Sequence, residues 1–243
     1  MQGSSDARTP GLARLADALA ARLGGACEIC RQWSAAAFCS HCLSLHARPQ
    51  ARCPRCALPS AGALVCGRCA GQAPSFERSV AAFDYDFPWD RLTQALKFSG
   101  RTELARPLGE ALARAAIDAG VVQQVDLLMA VPLSGPRLAE RGYNQAELLA
   151  QVVARVTGVA RAEGWLLRLR DTAHQARLSR ADRLRNLEGA FLLEPRHRPA
   201  LSGRRVALID DVMTTGATAE AAAAELLRAG AASVQLWAVA RTA

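Results

Sequence analysis

The feature that most constrains this chain is a set of four Cys-x-x-Cys pairs crowded into residues 27–69. Each such turn presents two thiolates on one side, and two turns complete the tetrahedral sulfur site typical of Zn²⁺. The pairs are Cys27/Cys30, Cys39/Cys42, Cys53/Cys56 and Cys66/Cys69. Because the segment has almost no long apolar periodicity, we expect metal rather than a hydrophobic core to hold it together.

Spacing alone leaves the pairing of these thiols open. The simplest assignment gives the first two pairs to one ion and the last two to another, whereas a cross-braced assignment joins first to third and second to fourth. Either way, two zinc ions with four thiolates each have no open coordination position, which predicts a structural role. Disulfides and iron–sulfur ligation are the rival explanations. We interpret His41 and His46 as bystanders because enough thiolates are available.

Composition divides the chain into three parts. A helical spacing of leucines predicts a short helix within residues 1–26, the cysteine segment spans 27–74, and an α/β domain is expected over 76–243. Arginines interrupt the apolar run that a secretory signal would need, and no apolar stretch reaches the roughly 20 residues of a membrane span. We therefore expect a cytoplasmic protein without a membrane span, whose thiols are reduced or metal-bound.

The third part alternates between predicted strands and predicted helices. Strands are predicted at 79–85, 126–131, 206–209 and 233–240, and helices at 89–98, 104–119, 143–156 and 217–229. This order predicts an α/β fold with a mostly parallel sheet flanked by helices, with ligands at the carboxyl ends of the strands. Residues 161–200 are rich in arginine and break the alternation, so we interpret them as a long excursion or flap over the site.

The most informative stretch for function is Val206–Thr218, where an apolar strand leads through two carboxylates into a hydroxyl-rich turn and a helix. Small residues let the backbone approach a phosphate, hydroxyls and helix-start amides donate to it, and carboxylates accept from the vicinal hydroxyls of a ribose. The candidate ligands are Asp210, Asp211, Met213, Thr214, Thr215, Gly216, Ala217 and Thr218. An ordinary helix cap is the structural alternative for this turn.

This pattern resembles the signature of type I phosphoribosyltransferases that binds phosphoribosyl diphosphate (PRPP). The resemblance implies that Asp210 and Asp211 are the acids of the catalytic site and that Mg²⁺ accompanies the diphosphate. A second anion site is then expected across the ribose. The turn after the second predicted strand offers Leu133, Ser134 and Arg137 for it.

Three further stretches resemble ComF-type proteins, in which a zinc ribbon precedes a phosphoribosyltransferase-like domain. They are Leu96-Lys-Phe-Ser-Gly100, the Arg-Gly-Tyr-Asn-Gln string from Arg141, and the Arg-x-Thr-x-x-Gln element from Arg170 with the Arg-x-x-Asn and Ala-Phe that follow it. The resemblance marks Lys97, Arg137, Arg141, Asn144, Gln145, Gln175, Arg183 and Asn186 as site residues. Lys97 is also the only lysine in the chain, which singles it out independently.

The ComF resemblance implies a role in DNA uptake, natural transformation or the use of external DNA, with single-stranded DNA and proteins of the uptake machinery as partners. Residues 161–205 carry eleven arginines against five acidic residues, which suits a polyanion. The alternative is an active phosphoribosyltransferase of nucleotide metabolism. Because the arginine-rich region has few aromatic residues to stack a base, we predict weak or absent turnover with free bases. A PRPP-sensing regulator is a third possibility, although no helix-turn-helix pattern is apparent.

Overall fold

The computed structural model describes residues 24–170, 187 and 189–243. The chain forms two compact units, the first ending at Arg48 and the second comprising Pro49–Ala243. The boundary falls between the second and third Cys-x-x-Cys pairs. The second cysteine group therefore belongs to the same unit as the α/β domain. The helix predicted before residue 24 lies outside the described residues.

The described part of the first unit is built around the first two cysteine pairs. Strands β1 (Gly25–Ala26) and β2 (Trp33–Ser34) pair antiparallel, and helix α1 follows at Ser40–His46. The Cys39 sulfur accepts a backbone N–H from the first turn of this helix and so caps it. Regular structure here is short, as expected for a segment without a core of its own.

A parallel sheet of five strands forms the centre of the second unit. The strands of this unit are β3 (Arg78–Asp84), β4 (Leu127–Ala130), β5 (Ala160–Arg161), β6 (Leu166–Arg168), β7 (Phe191–Leu193), β8 (Arg205–Met213) and β9 (Ser233–Arg241). The sheet has the order β3-β9-β8-β4-β5 with every pairing parallel, and β6 and β7 form a separate antiparallel hairpin. This order places β8 and β4, which precede the two predicted anion-binding turns, side by side.

Helices flank both faces of the sheet. The helices of this unit are α2 (Gly67–Gly71), α3 (Trp89–Phe98), α4 (Ala105–Asp118), α5 (Gly135–Arg141), α6 (Gln145–Thr157), α7 (Arg198–Leu201) and α8 (Ala217–Arg228), with short 3-10 turns at Ala61–Ala63, Thr102–Leu104, Val122–Gln124 and Pro195–His197. Val206 and Leu208 of β8 pack in one buried cluster with α8, while alternation turns Ile209 to the opposite face. The predicted α/β class is confirmed. Within the described residues, no helix is long and apolar enough to cross a membrane.

The second cysteine group packs directly on this sheet. Cys53, Cys56 and Cys69 are buried in one cluster with Phe76 and with apolar residues of β8, β9 and α8. Ser79 of β3 donates its amide and its hydroxyl to two carbonyls of the first Cys-x-x-Cys turn of this group, both at 2.8 Å. These contacts explain why the segment shares a compact unit with the sheet.

One predicted turn and one predicted helix differ from the structure. The turn expected after β4 is the start of α5, because Pro136 favours a first helical turn. Gly142, with φ +79°, then ends α5. The helix predicted at 143–156 consequently begins only after Asn144, which caps α6.

The predicted flap also contains regular structure at its described ends. They form the β6–β7 hairpin rather than an irregular loop. The Leu193 amide of β7 donates to the carboxylate of Glu225, a buried residue of α8, at 2.8 Å. The base of the excursion is therefore attached to the helix that follows the candidate phosphate turn.

Candidate functional site

Strand β8 carries both predicted acids within the sheet. The sequence predicts this strand at 206–209, whereas it continues to Met213 because β9 pairs with it as far as Arg241. Pairing with β4 ends at Ile209, so Asp210 and Asp211 lie where β8 is paired with β9 alone. Their backbone positions are fixed by the sheet rather than by a loop.

Asp211 is the buried acid, with 2% of its surface exposed. One carboxylate oxygen lies 3.2 Å from Lys97 Nζ, and the other accepts from the side-chain amide of Gln145 at 3.5 Å. Burial opposes ionisation, but the Lys97 charge and hydrogen bonds from neighbouring groups lower the pKa of Asp211. Asp211 is therefore held as an anion beside the single lysine of the chain.

Asp210 is half-buried and lies in a different electrostatic environment. Its carboxylate accepts the backbone N–H of Asp211 at 2.9 Å. Burial and the negative charge of Asp211 raise the pKa of Asp210 well above its ordinary value. Two adjacent acids are thus driven towards different protonation states, and a hydrogen-bond donor or a cation near Asp210 would favour its ionised form.

The turn after β8 leads into an open helix start. Gly216 has φ +79°, which favours glycine, and a Cβ at this position would lie 3.1 Å from Met213 Cε. The Ala217 amide donates to Thr215 Oγ1 at 3.3 Å, and the first helical hydrogen bond of α8 runs from Glu220 N to Gly216 O. The amides before Glu220 have no carbonyl one turn earlier, which is the arrangement that receives anions at helix starts.

A cleft opens at this turn and includes most of the predicted ribose-phosphate ligands. It is lined by Asp210, Val212, Met213, Thr214, Gly216, Thr218, Ala219 and Leu236. The polar groups come from β8 and the turn, while apolar side chains come from β8, α8 and β9. Carboxylate, hydroxyl and amide groups therefore face one small volume.

The residues predicted on the diphosphate side follow β4. Ser134 is 1% exposed, and its hydroxyl has no hydrogen-bond partner among the described residues. Leu133 and Arg137 are half-buried on either side of it. Asn144 accepts an N–H from the first turn of α6 at 3.0 Å and donates to the Val131 carbonyl at 3.1 Å. A buried hydroxyl without a partner is suited to a ligand oxygen.

A chain of polar contacts connects this side to the acids. Arg141 donates to Gln145 Oε1 at 2.5 Å, and Gln145 in turn contacts Asp211, which pairs with Lys97. Phe98 follows Lys97, is 71% exposed, and has its ring centroid 5.8 Å from Lys97 Nζ and 5.1 Å from Arg141 Cζ. The polar and charged members of this group were predicted from the sequence, whereas Phe98 was not.

Three further predicted site residues have no described position. Gln175, Arg183 and Asn186 lie outside the described residues. Tyr143 belongs to the ComF-like string and was not predicted as a site residue. Its hydroxyl donates to the Leu96 carbonyl and so joins α3 to the turn between α5 and α6.

The eight cysteines form two groups of four thiols, each built from consecutive pairs. Cys27, Cys30, Cys39 and Cys42 make one group, and Cys53, Cys56, Cys66 and Cys69 make the other. The sulfurs of Cys30 and Cys39 are 3.8 Å apart, and those of Cys56 and Cys66 are 3.6 Å apart. A tetrahedron of Zn–S bonds of about 2.3 Å has edges of roughly 3.8 Å, so both groups fit one metal ion each and neither pair is a disulfide.

The thiols within each group differ in acidity. Burial opposes ionisation, but backbone amides lower the pKa of Cys27 and of Cys53 to about 6. Burial raises the pKa of Cys42 and of Cys69 to about 12. Each group therefore contains one cysteine that favours the thiolate form and one that favours the thiol form. Binding of a cation by all four sulfurs would release the remaining protons.

No protein-family model matches the chain, but individual known proteins do. It is 38% identical over 225 residues to DNA utilization protein YhgH of Salmonella typhimurium, covering 90% of this chain and 97% of that protein. It is 36% identical over 179 residues to competence protein F of Haemophilus influenzae, covering 72% of this chain and 78% of that protein.

Two more distant similarities accompany these. Competence protein ComFC of Bacillus subtilis is 28% identical over 197 residues, covering 78% of each chain. A solved structure of the allosteric regulatory enzyme of purine biosynthesis aligns with a TM-score of 0.40 and 19% identity, over 60% of this chain and 30% of that one. The extent and identity of the first two matches are decisive: the chain belongs to the ComF family, together with the YhgH DNA utilization proteins.

Proposed function

We propose that this protein binds PRPP or a related ribose phosphate at the turn after β8, in support of DNA uptake or utilization. The observation that carries the proposal is the cleft in which Asp210, the threonine turn and the start of α8 face one another. The names of the relatives point to the same physiological context.

Each part of the cleft has a role in this proposal. The 5′-phosphate would accept from the amides at the start of α8 and from the hydroxyls of Thr214 and Thr218. The ribose hydroxyls would donate to Asp210, the acid that lines the cleft, and this would favour its ionised form. Mg²⁺ would be carried on the diphosphate, and Ser134 with Arg137 would bind the oxygens of that group.

Calorimetric titration with PRPP and Mg²⁺ tests this proposal. We expect one ligand per chain and no saturable binding by Asp210→Asn. Ribose 5-phosphate, which lacks the diphosphate, should bind more weakly because it leaves the Ser134 side unused. An unmeasurable affinity of the intact protein for both compounds would contradict the proposal.

We also propose that each thiol group holds one structural zinc ion, since four thiolates leave no position for a substrate. Metal analysis should give two zinc ions per chain. The reduced thiols that such sites require are consistent with a cytoplasmic location.

The alternative function is phosphoribosyl transfer to a free base in nucleotide metabolism. Positive charge near the leaving diphosphate is the electrostatic contribution such a reaction needs, and Arg137 on the predicted diphosphate side would supply it. A screen of common bases with PRPP should nevertheless show weak or absent nucleotide formation. Efficient turnover with any base would favour the enzyme over the binding protein.

A specific observation favours single-stranded DNA as a second ligand. Phe98 exposes 71% of its surface between the cations of Lys97 and Arg141. An exposed ring flanked by positive charge can stack a base while the charges bind the adjacent phosphates. We propose that this surface receives single-stranded DNA delivered by proteins of the uptake machinery.

The DNA proposal has a matched control at the other end of the same helix, just before its first residue. Phe87 precedes α3 and is 53% exposed, and its ring centroid lies 5.2 Å from Arg91 Cζ. Like Phe98, it is therefore an exposed ring beside a cation. Phe98→Ala should weaken oligonucleotide binding by about 5- to 150-fold, the range expected for one stacked base. Phe87→Ala should have little effect. Equal losses, or binding that is insensitive to salt, would count against this surface.

A further inference from the structure

Arg241 lies between the second cysteine group and the candidate phosphate turn. It is the last residue of β9 and is 2% exposed. Its Nε donates to the Cys56 carbonyl at 2.8 Å, while Nη1 donates to the carbonyls of Met213 at 3.1 Å and Thr214 at 2.6 Å. One buried guanidinium therefore joins a cysteine turn to Met213, the last residue of β8, and to Thr214, the first residue of the turn.

A buried guanidinium requires hydrogen-bond acceptors for its N–H groups. It stays charged and offers only donors, so it must keep its acceptors when it is buried. Displacement of the Cys56 carbonyl would leave a buried donor unsatisfied unless the arginine followed it. Movement of the arginine would in turn release the carbonyls that shape the turn.

A second set of contacts ties the same two regions together. Ser75, a few residues beyond Cys69, donates its amide and hydroxyl to the Glu220 carboxylate in the first turn of α8, at distances of 2.5 to 3.1 Å. Phe76 packs in the cluster of buried cysteines, and its ring lies 3.8 Å from where a Cβ of Gly216 would be. Both ends of the turn are thus attached to the metal-binding segment.

We infer that Arg241 is a positioning residue that couples metal binding by Cys53, Cys56, Cys66 and Cys69 to ribose-phosphate binding at the turn Thr214–Thr218. The inference rests on the proposed function. Metal holds the cysteine turns in place, the Cys56 carbonyl holds Arg241, and Arg241 holds the carbonyl side of the turn so that its amides face the ligand. Coupling of this kind is reciprocal, so the ligand must also retain the metal.

Zinc release measured with and without ligand tests this coupling. The full chain, loaded with two zinc ions, is mixed with a chromogenic chelator in the presence of Mg²⁺, with or without saturating PRPP. Once zinc has distributed between protein and chelator, we expect PRPP to raise the zinc affinity of one site by at least about fivefold, the lower range of coupling between sites. In Cys27→Ser/Cys39→Ser, which should lack the first ion, the remaining ion should be the one that PRPP retains.

Arg241→Lys distinguishes the role of the guanidinium. It keeps a buried positive charge but cannot donate to three carbonyls in the same geometry. We expect it to retain zinc, to bind PRPP more weakly and to lose most of the retention effect. In the ligand-free variant, amide hydrogens of 213–218 should also exchange faster than in the parent, a readout that does not depend on binding.

The outcomes separate this inference from the proposed function. If calorimetry shows no PRPP binding by the zinc-loaded parent, the proposed function fails. If PRPP binds but leaves the zinc affinity of both sites unchanged, the coupling is refuted while the binding site stands. The role of Arg241 is refuted if Arg241→Lys keeps the full effect of PRPP on zinc affinity and shows unchanged exchange at 213–218.

Discussion

At the scale of single residues, the two acids of β8 show how neighbours assign different roles to identical side chains. Asp211 has Lys97 at 3.2 Å and a hydrogen bond from Gln145, so its charge is compensated inside the protein. Asp210 has burial and a like charge beside it, which disfavour ionisation. One acid therefore maintains the architecture of the site, while the other is suited to a ligand.

The Lys97–Asp211 pair predicts a non-additive stability effect. Lys97→Met should destabilise the fold by about 3 kcal/mol, because it leaves a buried carboxylate without its partner. Combined with Asp211→Asn, much of that loss should be recovered, since no buried charge then remains unpaired. Denaturant unfolding of the two single variants and the double variant measures the coupling. Additive losses would show that the pair is not a unit.

Replacing Asp210 by asparagine should stabilise the fold at neutral pH and not at acidic pH. The raised pKa of Asp210 means that the folded protein retains a proton that the unfolded chain has already lost, so stability falls as pH rises from the ordinary aspartate value through the raised one. Asp210→Asn carries no charge and should have a higher Tm than the parent at pH 7, with no advantage near pH 3. A lower Tm at pH 7 would contradict this assignment.

Sequence indicated many residues of the site and missed those whose importance depends on tertiary neighbours. The acids and the threonine turn follow from a local pattern, and Lys97 follows from its being the only lysine. Phe98 and Arg241 carry no such signal. An exposed phenylalanine looks like a core residue in sequence, and the acceptors of Arg241 come from distant parts of the chain.

At the scale of elements, the junction of β8 and α8 depends on one glycine conformation. Gly216→Ala would force a side chain into a left-handed conformation at a cost of about 1–2 kcal/mol and would press against the flexible end of Met213. We expect PRPP affinity to fall at least about tenfold, because the amides of the turn would reorient. Calorimetry measures the affinity, and thermal unfolding measures the stability.

Gly158 provides a matched control for this change. It ends α6 with φ +75°, and no atom lies within 4 Å of an added Cβ. Gly158→Ala should therefore lose comparable stability without any loss of PRPP affinity. Equal effects of both variants on affinity would show that the turn has no special role.

Elements with strong periodicity were predictable, whereas a short helix and the full length of a paired strand were not. The helix at 89–98 has the predicted bounds, because its apolar residues recur at helical spacing. The helix at 135–141 was predicted as a turn because its seven residues are too few to show a clear helical period, although Gly142 and Asn144 are ordinary signals for a helix end and a helix start. The length of β8 depends on pairing with β9, which lies beyond any sequence window.

At the scale of the whole molecule, the two cysteine groups belong to different compact units. Cys53 is fully buried in a cluster with residues of the sheet, whereas Cys27 is buried in the first unit. Cys53→Ser should lower the free energy of unfolding in the main transition by several kcal/mol and release one zinc ion. Cys27→Ser should also release one ion but leave that transition unchanged. Thermal unfolding with zinc analysis tests both, and identical shifts would contradict independent roles.

The central claim is that the turn after β8 seats a phosphorylated ribose. The most direct test is a crystal structure of the zinc-loaded protein with PRPP and Mg²⁺. We predict the 5′-phosphate within hydrogen-bonding distance of the amides at 215–218, with the ribose hydroxyls against Asp210. A ligand bound elsewhere would contradict the claim. So would a complex in which the amides at 215–218 donate to groups of the protein instead of to the phosphate.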